Sequence, residues 1–249
     1  MNIAILTSNQ PRHMSFVSML SNLINPSLVI IESKKPTLFV NQEKEFFKER
    51  LGSIKTNLKY CHVEKGEINS SKIEKLLIDN NIDVAFVFGT SILKKNIFSI
   101  PKFCVNIHTG LVQEYRGVDS NFWALYENNL AAIGVTVHRI NAGIDTGNIL
   151  LQKRIELTPD DSIESIFLKS CESGFQLIED NIDDILSEKI KHVKMKKRGK
   201  LFKIKNMNNI ALLKVNNTIK ENIKEYLQNK EIKDRKIKLI NGRNDGLYY

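Results

Sequence analysis

Short apolar runs alternate with amphipathic stretches through the first half of the chain, and this alternation restricts the fold more than any other feature. Residues 2–7, 27–32, 58–63, 83–88 and 102–108 read as strands, several of them apolar without interruption, as strands buried on both faces are. Between them, residues 12–23 carry Met14, Val17, Leu20 and Leu23 at helical spacing, and residues 37–51 and 71–80 read as further helices. Strands alternating with helices make an α/β fold with a doubly wound, mostly parallel sheet, whose ligands bind beyond the carboxyl ends of the strands. Gly89-Thr90-Ser91 and residues 106–110 both fall at such ends.

The second half continues with a helix at 120–127, strands at 132–138 and 147–155, and a long helix at 162–188 announced by Thr158-Pro159-Asp160-Asp161. Around residues 189–200 the composition turns basic. Residues 189–249 hold 18 Lys/Arg against 5 Asp/Glu, so the first 188 residues are slightly acidic although the whole chain carries +9. A boundary near 190 is therefore expected, with a main domain over 1–190 and a basic extension over 191–249. In the extension, residues 200–205 read as a strand, 214–228 as a helix and 241–244 as a turn. Such a charge run suits nucleic acid or a membrane surface, or is simply a solvated face. No apolar stretch reaches the roughly 18 residues of a membrane span. The first residues lack a basic leader, so a buried first strand and a cytoplasmic protein are expected. Cys61, Cys104 and Cys171 are widely spaced and suggest neither a disulfide framework nor a metal site.

The residues that carry chemistry cluster between 106 and 145. Asn106-Ile107-His108 ends an apolar run, and Asp145 lies in Gly143-Ile144-Asp145-Thr146-Gly147. An amide can hold a carbonyl oxygen, an imidazole can move an amine proton, and a carboxylate can tune the imidazole. Singly these residues read otherwise: Asn106 as a strand-end residue, His108 as a tethered loop histidine, Asp145 as a turn residue. His138 sits on an apolar strand and reads as a core histidine. Phe122, Trp123 and Tyr126 share helical spacing and read as packing residues.

Four elements in order, Asn106-Ile107-His108, residues 109–113, Tyr115-Arg116-Gly117 and Gly143–Gly147, resemble those of the N10-formyltetrahydrofolate-dependent formyltransferases. The likeness is strongest over roughly residues 84–160. One departure is the loop after His108, which lacks the family's Ser-Leu-Leu-Pro and has Gln113 where proline is expected. The resemblance implies a Rossmann-like formyltransferase core and a catalytic set of Asn106, His108 and Asp145, with no metal. It implies that N10-formyltetrahydrofolate is the formyl donor, bound by Phe88, Gly89, Thr90, Ile92 and Leu93 and by Ile140, Asn141, Gly143 and Ile144. Gln10, Arg12 and His13, at the start of a helix, and Tyr115 and Arg116 are candidates for the second substrate. Arg116 reads equally as a phosphate clamp or a loop support.

The family includes enzymes acting on methionyl-tRNA, glycinamide ribonucleotide and nucleotide-linked amino sugars. A core of about 190 residues with a short tail is most similar to the sugar N-formyltransferases. The expected substrate is thus an amino sugar on dTDP, UDP or GDP, used for a surface polysaccharide such as lipopolysaccharide. A homodimer is expected, with neither membrane nor nucleic acid as partner. A methionyl-tRNA enzyme with a reduced tail and a non-catalytic folate- or nucleotide-binding relative are the alternatives.

Overall fold

The computed structural model describes residues 1–243. It divides into two compact units. The first comprises residues 1–106, 139–143 and 179–182. It opens with β1 (Ile3–Ser8), α1 (Pro11–Leu23), β2 (Leu28–Glu32), α2 (Val40–Phe46), α3 (Lys48–Gly52) and β3 (Tyr60–Val63). It continues with α4 (Ser71–Asp79), β4 (Val84–Phe88), α5 (Lys95–Phe98) and the first residues of β5 (Phe103–His108). Strands β1 and β2, β2 and β3, β1 and β4, and β4 and β5 all pair in parallel. Every residue of β1, β2 and β4 is buried. Apolar side chains enclosed in this way each contribute about 1.5–3 kcal/mol relative to exposure. Ala4, Leu6, Leu28, Ile30, Ala85 and Val87 pack with Ile73 and Leu77 of α4 in one cluster. That cluster fixes the level at which the strands end.

Among the described residues, the second unit comprises 107–138, 144–178 and 183–243. It receives the end of β5 and adds β6 (Tyr115–Gly117), α6 (Ser120–Tyr126), β7 (Gly134–Arg139) and β8 (Ile149–Arg154). Then come α7 (Ile163–Glu179), α8 (Ile182–Leu186), β9 (Lys200–Phe202), α9 (Asn209–Gln228) and α10 (Lys230–Asp234). Strands β7 and β8 are antiparallel. The seven-stranded sheet has the order β3-β2-β1-β4-β5-β7-β8, and β6 and β9 form a separate parallel pair. The expected α/β architecture with a mostly parallel sheet is the one observed.

Several elements differ from expectation for local reasons. The helix over 37–51 is two helices, because Phe47 leaves helical geometry at φ −101° and ψ 15° as its side chain enters the core. The long helix over 162–188 breaks at Asp180-Asn181, residues whose side chains compete for backbone bonds. The strand over 200–205 stops at Phe202, and a 3-10 turn follows in which Asn206 Oδ1 accepts the Lys203 N–H. Helix α9 begins five residues before the expected 214, where Asn208 caps it by accepting the Ala211 N–H at 2.9 Å. Of the turn expected at 241–244, Asn244 lies outside the described residues. No helix among the described residues is long and apolar enough to cross a membrane.

Candidate active site

Strand alternation places Asn106 and His108 on the same face of β5. Asn106 is half-buried and stands in register with Val87 of β4. His108 is buried, with both ring nitrogens facing acceptors. Nδ1 lies 3.4 Å from Asp145 Oδ2, and Nε2 lies 3.3 Å from the Tyr115 carbonyl oxygen. Asp145 adopts a left-handed φ of 49°. Its Oδ2 also accepts the Gly117 N–H at 2.8 Å, while Oδ1 lies 3.5 Å from His138 Nε2. One carboxylate thus stands between two histidines, whose ring centroids are 6.5 Å apart.

The electrostatics suit a base that starts neutral. Burial pushes the His108 pKa down, Asp145 and the Tyr115 carbonyl push it up, and His138 and Arg116 push it down. The net result lies below the ordinary histidine value. A neutral imidazole has one N–H and satisfies one of its two acceptors, whereas the imidazolium satisfies both. The site therefore resists protonation from bulk water yet gives a proton taken in reaction two partners. Burial also works to raise the Asp145 pKa, but His108, His138 and the Gly117 N–H outweigh it. The carboxyl stays well below the usual carboxylate range and is ionised at neutral pH.

The loop after His108 explains its missing proline. Gln113 Nε2 donates to Gln152 Oε1 at 3.1 Å and to the Lys238 carbonyl at 3.2 Å, while Gln152 Nε2 donates to Gln113 Oε1 at 2.7 Å. Gln152 in turn donates to Thr136 and accepts the Ile240 N–H. An amide network holds the loop where proline would have stiffened it. Tyr115 is buried, and its hydroxyl donates to Glu127 at 2.9 Å and accepts from Asn129 at 3.3 Å. Arg116 donates to the carbonyls of Ile144 and Gly199.

In the first unit, Phe88 ends β4, and the candidates Gly89, Thr90, Ile92 and Leu93 lie in the loop that follows it. The Phe88 carbonyl accepts the Thr7 hydroxyl at 2.8 Å, and its ring meets His13 edge-on at 4.7 Å. Gly89 has φ +79°, and a Cβ there would stand 2.0 Å from His13 Cε1. The backbone of this loop is pinned by the buried Glu32, whose two oxygens accept the N–H groups of Ser91 and Gly66, each at 2.6 Å. Asn69 adds bonds to the Ile92 carbonyl and the Lys94 N–H. Ile92 itself is 67% exposed, while Leu93 and Ile140 join the apolar cluster beneath. Asn141 Oδ1 accepts the Gly143 N–H. The room that glycine leaves at position 89 is taken by the His13 ring, so a side chain there would displace it.

Gln10, Arg12 and His13 turn their polar atoms inward to the protein. Gln10 donates to Asn9 and to the carbonyls of Lys34 and Lys35, and accepts from Thr37. The Arg12 guanidinium pairs with the buried Glu43, whose Oε1 also accepts the Thr37 hydroxyl. His13 Nδ1 bonds Ser8 Oγ at 2.5 Å, and burial foremost, with Arg12 and Lys34, lowers its pKa well below the ordinary value. These three residues brace the helix start.

A family model described as formyl transferase matches residues 1–180. The chain belongs to the formyl transferase family. A methionyl-tRNA formyltransferase of Thermodesulfovibrio yellowstonii is 37% identical over 132 residues, which is 53% of this chain and 42% of that enzyme. The chain thus spans less than half the length of this curated relative. Among solved structures, a sugar N-formyltransferase from a Shewanella species superposes with a TM-score of 0.63 at 17% identity, covering 86% of this chain and 88% of the other. The formyltransferase PseJ from Anoxybacillus kamchatkensis, in complex with UDP-4,6-dideoxy-4-formamido-L-AltNAc and tetrahydrofolate, gives a TM-score of 0.53 at 19% identity. It covers 72% of this chain and 87% of its own. These two structures share the fold of the formyl transferase family.

Three features of this candidate site have no local signal in the sequence. His138 is buried, as its place on an apolar strand implies, but no period relates it to Asp145, which it faces across seven residues. Glu32 ends an apolar strand, where a buried carboxylate has no local signal. The Gly117 N–H and Tyr115 carbonyl are main-chain groups, and their role depends on the path of β6.

Proposed function

We propose that the chain transfers a formyl group from N10-formyltetrahydrofolate to the primary amine of a nucleotide-linked amino sugar. The observation that carries the reading is the buried His108–Asp145 contact on the strand that also presents Asn106. N10-formyltetrahydrofolate, as donor, supplies the formyl carbon that the amine attacks. Asn106 donates its side-chain amide to the oxygen on which charge develops, a contact worth about 2.7–4 kcal/mol where one has been measured by removal. His108 takes the proton that the amine loses and returns it to N10 as the bond between the formyl carbon and N10 breaks, so that tetrahydrofolate leaves as a neutral amine. Asp145 holds the ring and stabilises the imidazolium, and His138 faces the carboxylate's other oxygen. Phe88, Gly89, Thr90, Ile92 and Leu93, with Ile140, Asn141, Gly143 and Ile144, are assigned to the donor.

The nucleotide-sugar acceptor draws support from the solved sugar N-formyltransferases that share the fold, one of them holding a UDP-linked formamido sugar. Use in lipopolysaccharide synthesis, a cytoplasmic setting and a homodimer belong to the same reading. A second reading, methionyl-tRNA as acceptor, is favoured by the curated relatives of that name and by the basic residues from 189 onward. A panel of dTDP-, UDP- and GDP-linked amino sugars assayed beside methionyl-tRNA separates them. Turnover with one sugar supports the first reading, and turnover with tRNA alone replaces it with the second.

A further inference from the structure

Strand β6 grips the His108–Asp145 pair at alternate residues. The Tyr115 carbonyl faces His108 Nε2 at 3.3 Å, and the Gly117 N–H bonds Asp145 Oδ2 at 2.8 Å. Between them, Arg116 Nη1 donates at 2.8 Å to the carbonyl of Ile144, the residue before Asp145. The other arm of the same guanidinium, Nε, donates at 3.0 Å to the carbonyl of Gly199, the residue before β9. Strand β9 is the partner of β6 in the two-stranded sheet, with Arg116 in register with Leu201 and Gly117 with Phe202. The contact is close: Gly117 has φ +89°, and a Cβ there would stand 2.0 Å from the Phe202 carbonyl oxygen. The Phe202 ring stacks on Trp123 at 4.2 Å, which anchors β9 to α6.

We infer that Arg116 is a positioning residue: its planar fork ties the segment leading into β9 to the backbone that carries Asp145, and so keeps that carboxylate against His108. The inference rests on the reading of His108 and Asp145 as the reacting pair. Asp145 sits at a left-handed φ of 49°, which aspartate tolerates but which does not by itself fix where the carboxylate points, so the contacts around it decide that. A guanidinium presents N–H groups in a fixed plane and reaches two carbonyls at once, whereas an ammonium on a flexible stem does not reproduce that geometry. Residues 199–202, though far along the chain, thereby belong to the apparatus that sets the base. With Nε and Nη1 given to main-chain carbonyls, Arg116 serves as a support of the loop.

The test is Arg116→Lys, which retains the positive charge and loses the fork. Two readouts are combined: steady-state kinetics, and the His108 titration followed by NMR in the ligand-free protein. The groups facing that ring are Asp145 and the Tyr115 carbonyl, which favour its protonation, and His138 and Arg116, which oppose it. If Arg116 positions Asp145, kcat falls by about tenfold to a hundredfold, the scale of a small misplacement of a reacting group. KM for both substrates stays within about threefold, and His108 titrates at a lower pH because Asp145 has drifted away. An acceptor KM that rises with kcat and the titration unchanged would make Arg116 a substrate contact and overturn the inference, as would no change at all. Absence of turnover in the wild type with every amine would sink the formyl-transfer reading alone, since the ligand-free titration still decides the clamp. Should the variant fail to fold, the wild-type Arg116 Nε–H signal decides: slow solvent exchange is expected for a bonded group, and fast exchange overturns the clamp.

Discussion

His108 is a base whose surroundings pull in both directions, and the balance is open to measurement. It must be neutral to accept a proton, so kcat/KM should rise with pH through its pKa, on a limb below the ordinary value of about 6.5. Asp145 raises that pKa, so Asp145→Asn should move the acid limb to lower pH while reducing kcat by about 10²–10⁴. Asparagine tolerates the left-handed φ and can still accept the Gly117 N–H, so this variant should keep near-native thermal stability. An acid limb that moves upward would contradict the assignment of Asp145. The depressed His108 pKa also bears on folding. As pH falls below about 6.5 the unfolded chain takes the proton before the native one does, so stability drops in that window. Denaturant midpoints measured between pH 5 and 7, on the order of the histidine range, should show a shallower loss in His108→Asn than in the wild type.

At the scale of elements, the site depends on strand ends held by side chains from elsewhere. Gly89 sits at φ +79° against the His13 ring, so Gly89→Ala should displace that ring and strain the loop, costing about 1–3 kcal/mol of stability. Under the proposed function it should also raise KM for the donor; a stable variant with unchanged KM would remove the loop from the donor site. The strands that carry these loops were legible because a parallel sheet covered on both faces writes itself as apolar runs. Helix interruptions at Phe47 and Asp180-Asn181 were not, since the first follows the burial of Phe47 and the second a competition between side-chain and backbone hydrogen bonds. Strand β6 is visible in the sequence only as the Tyr115-Arg116-Gly117 motif, because three residues are too few for a period to show. Its partner β9 lies more than eighty residues on, and nothing local relates the two.

Over the whole molecule, the charge asymmetry is visible in sequence while its use is not. Residues 189–249 are strongly basic and 107–138 are not, yet both contribute to the second compact unit. The composition change near 190 therefore does not coincide with the division into units. Among the extension's cations, Lys197 pairs with Glu114 and Lys200 with Glu127, both within that unit. If the acceptor is a nucleotide-linked sugar, its KM should vary weakly between about 50 and 200 mM salt, whereas binding of a tRNA would fall steeply over that range as counterions are released. A steep salt dependence of turnover would favour the tRNA reading. That His108 with Asp145 moves the proton in formyl transfer to an amine is tested most directly by following tetrahydrofolate release from N10-formyltetrahydrofolate with and without a nucleotide-linked amino sugar, in the wild type and in His108→Asn. Amine-dependent release that His108→Asn reduces by about 10²–10⁴, with donor binding retained, is the expected result. Release that ignores the amine, or that survives intact in His108→Asn, would contradict it.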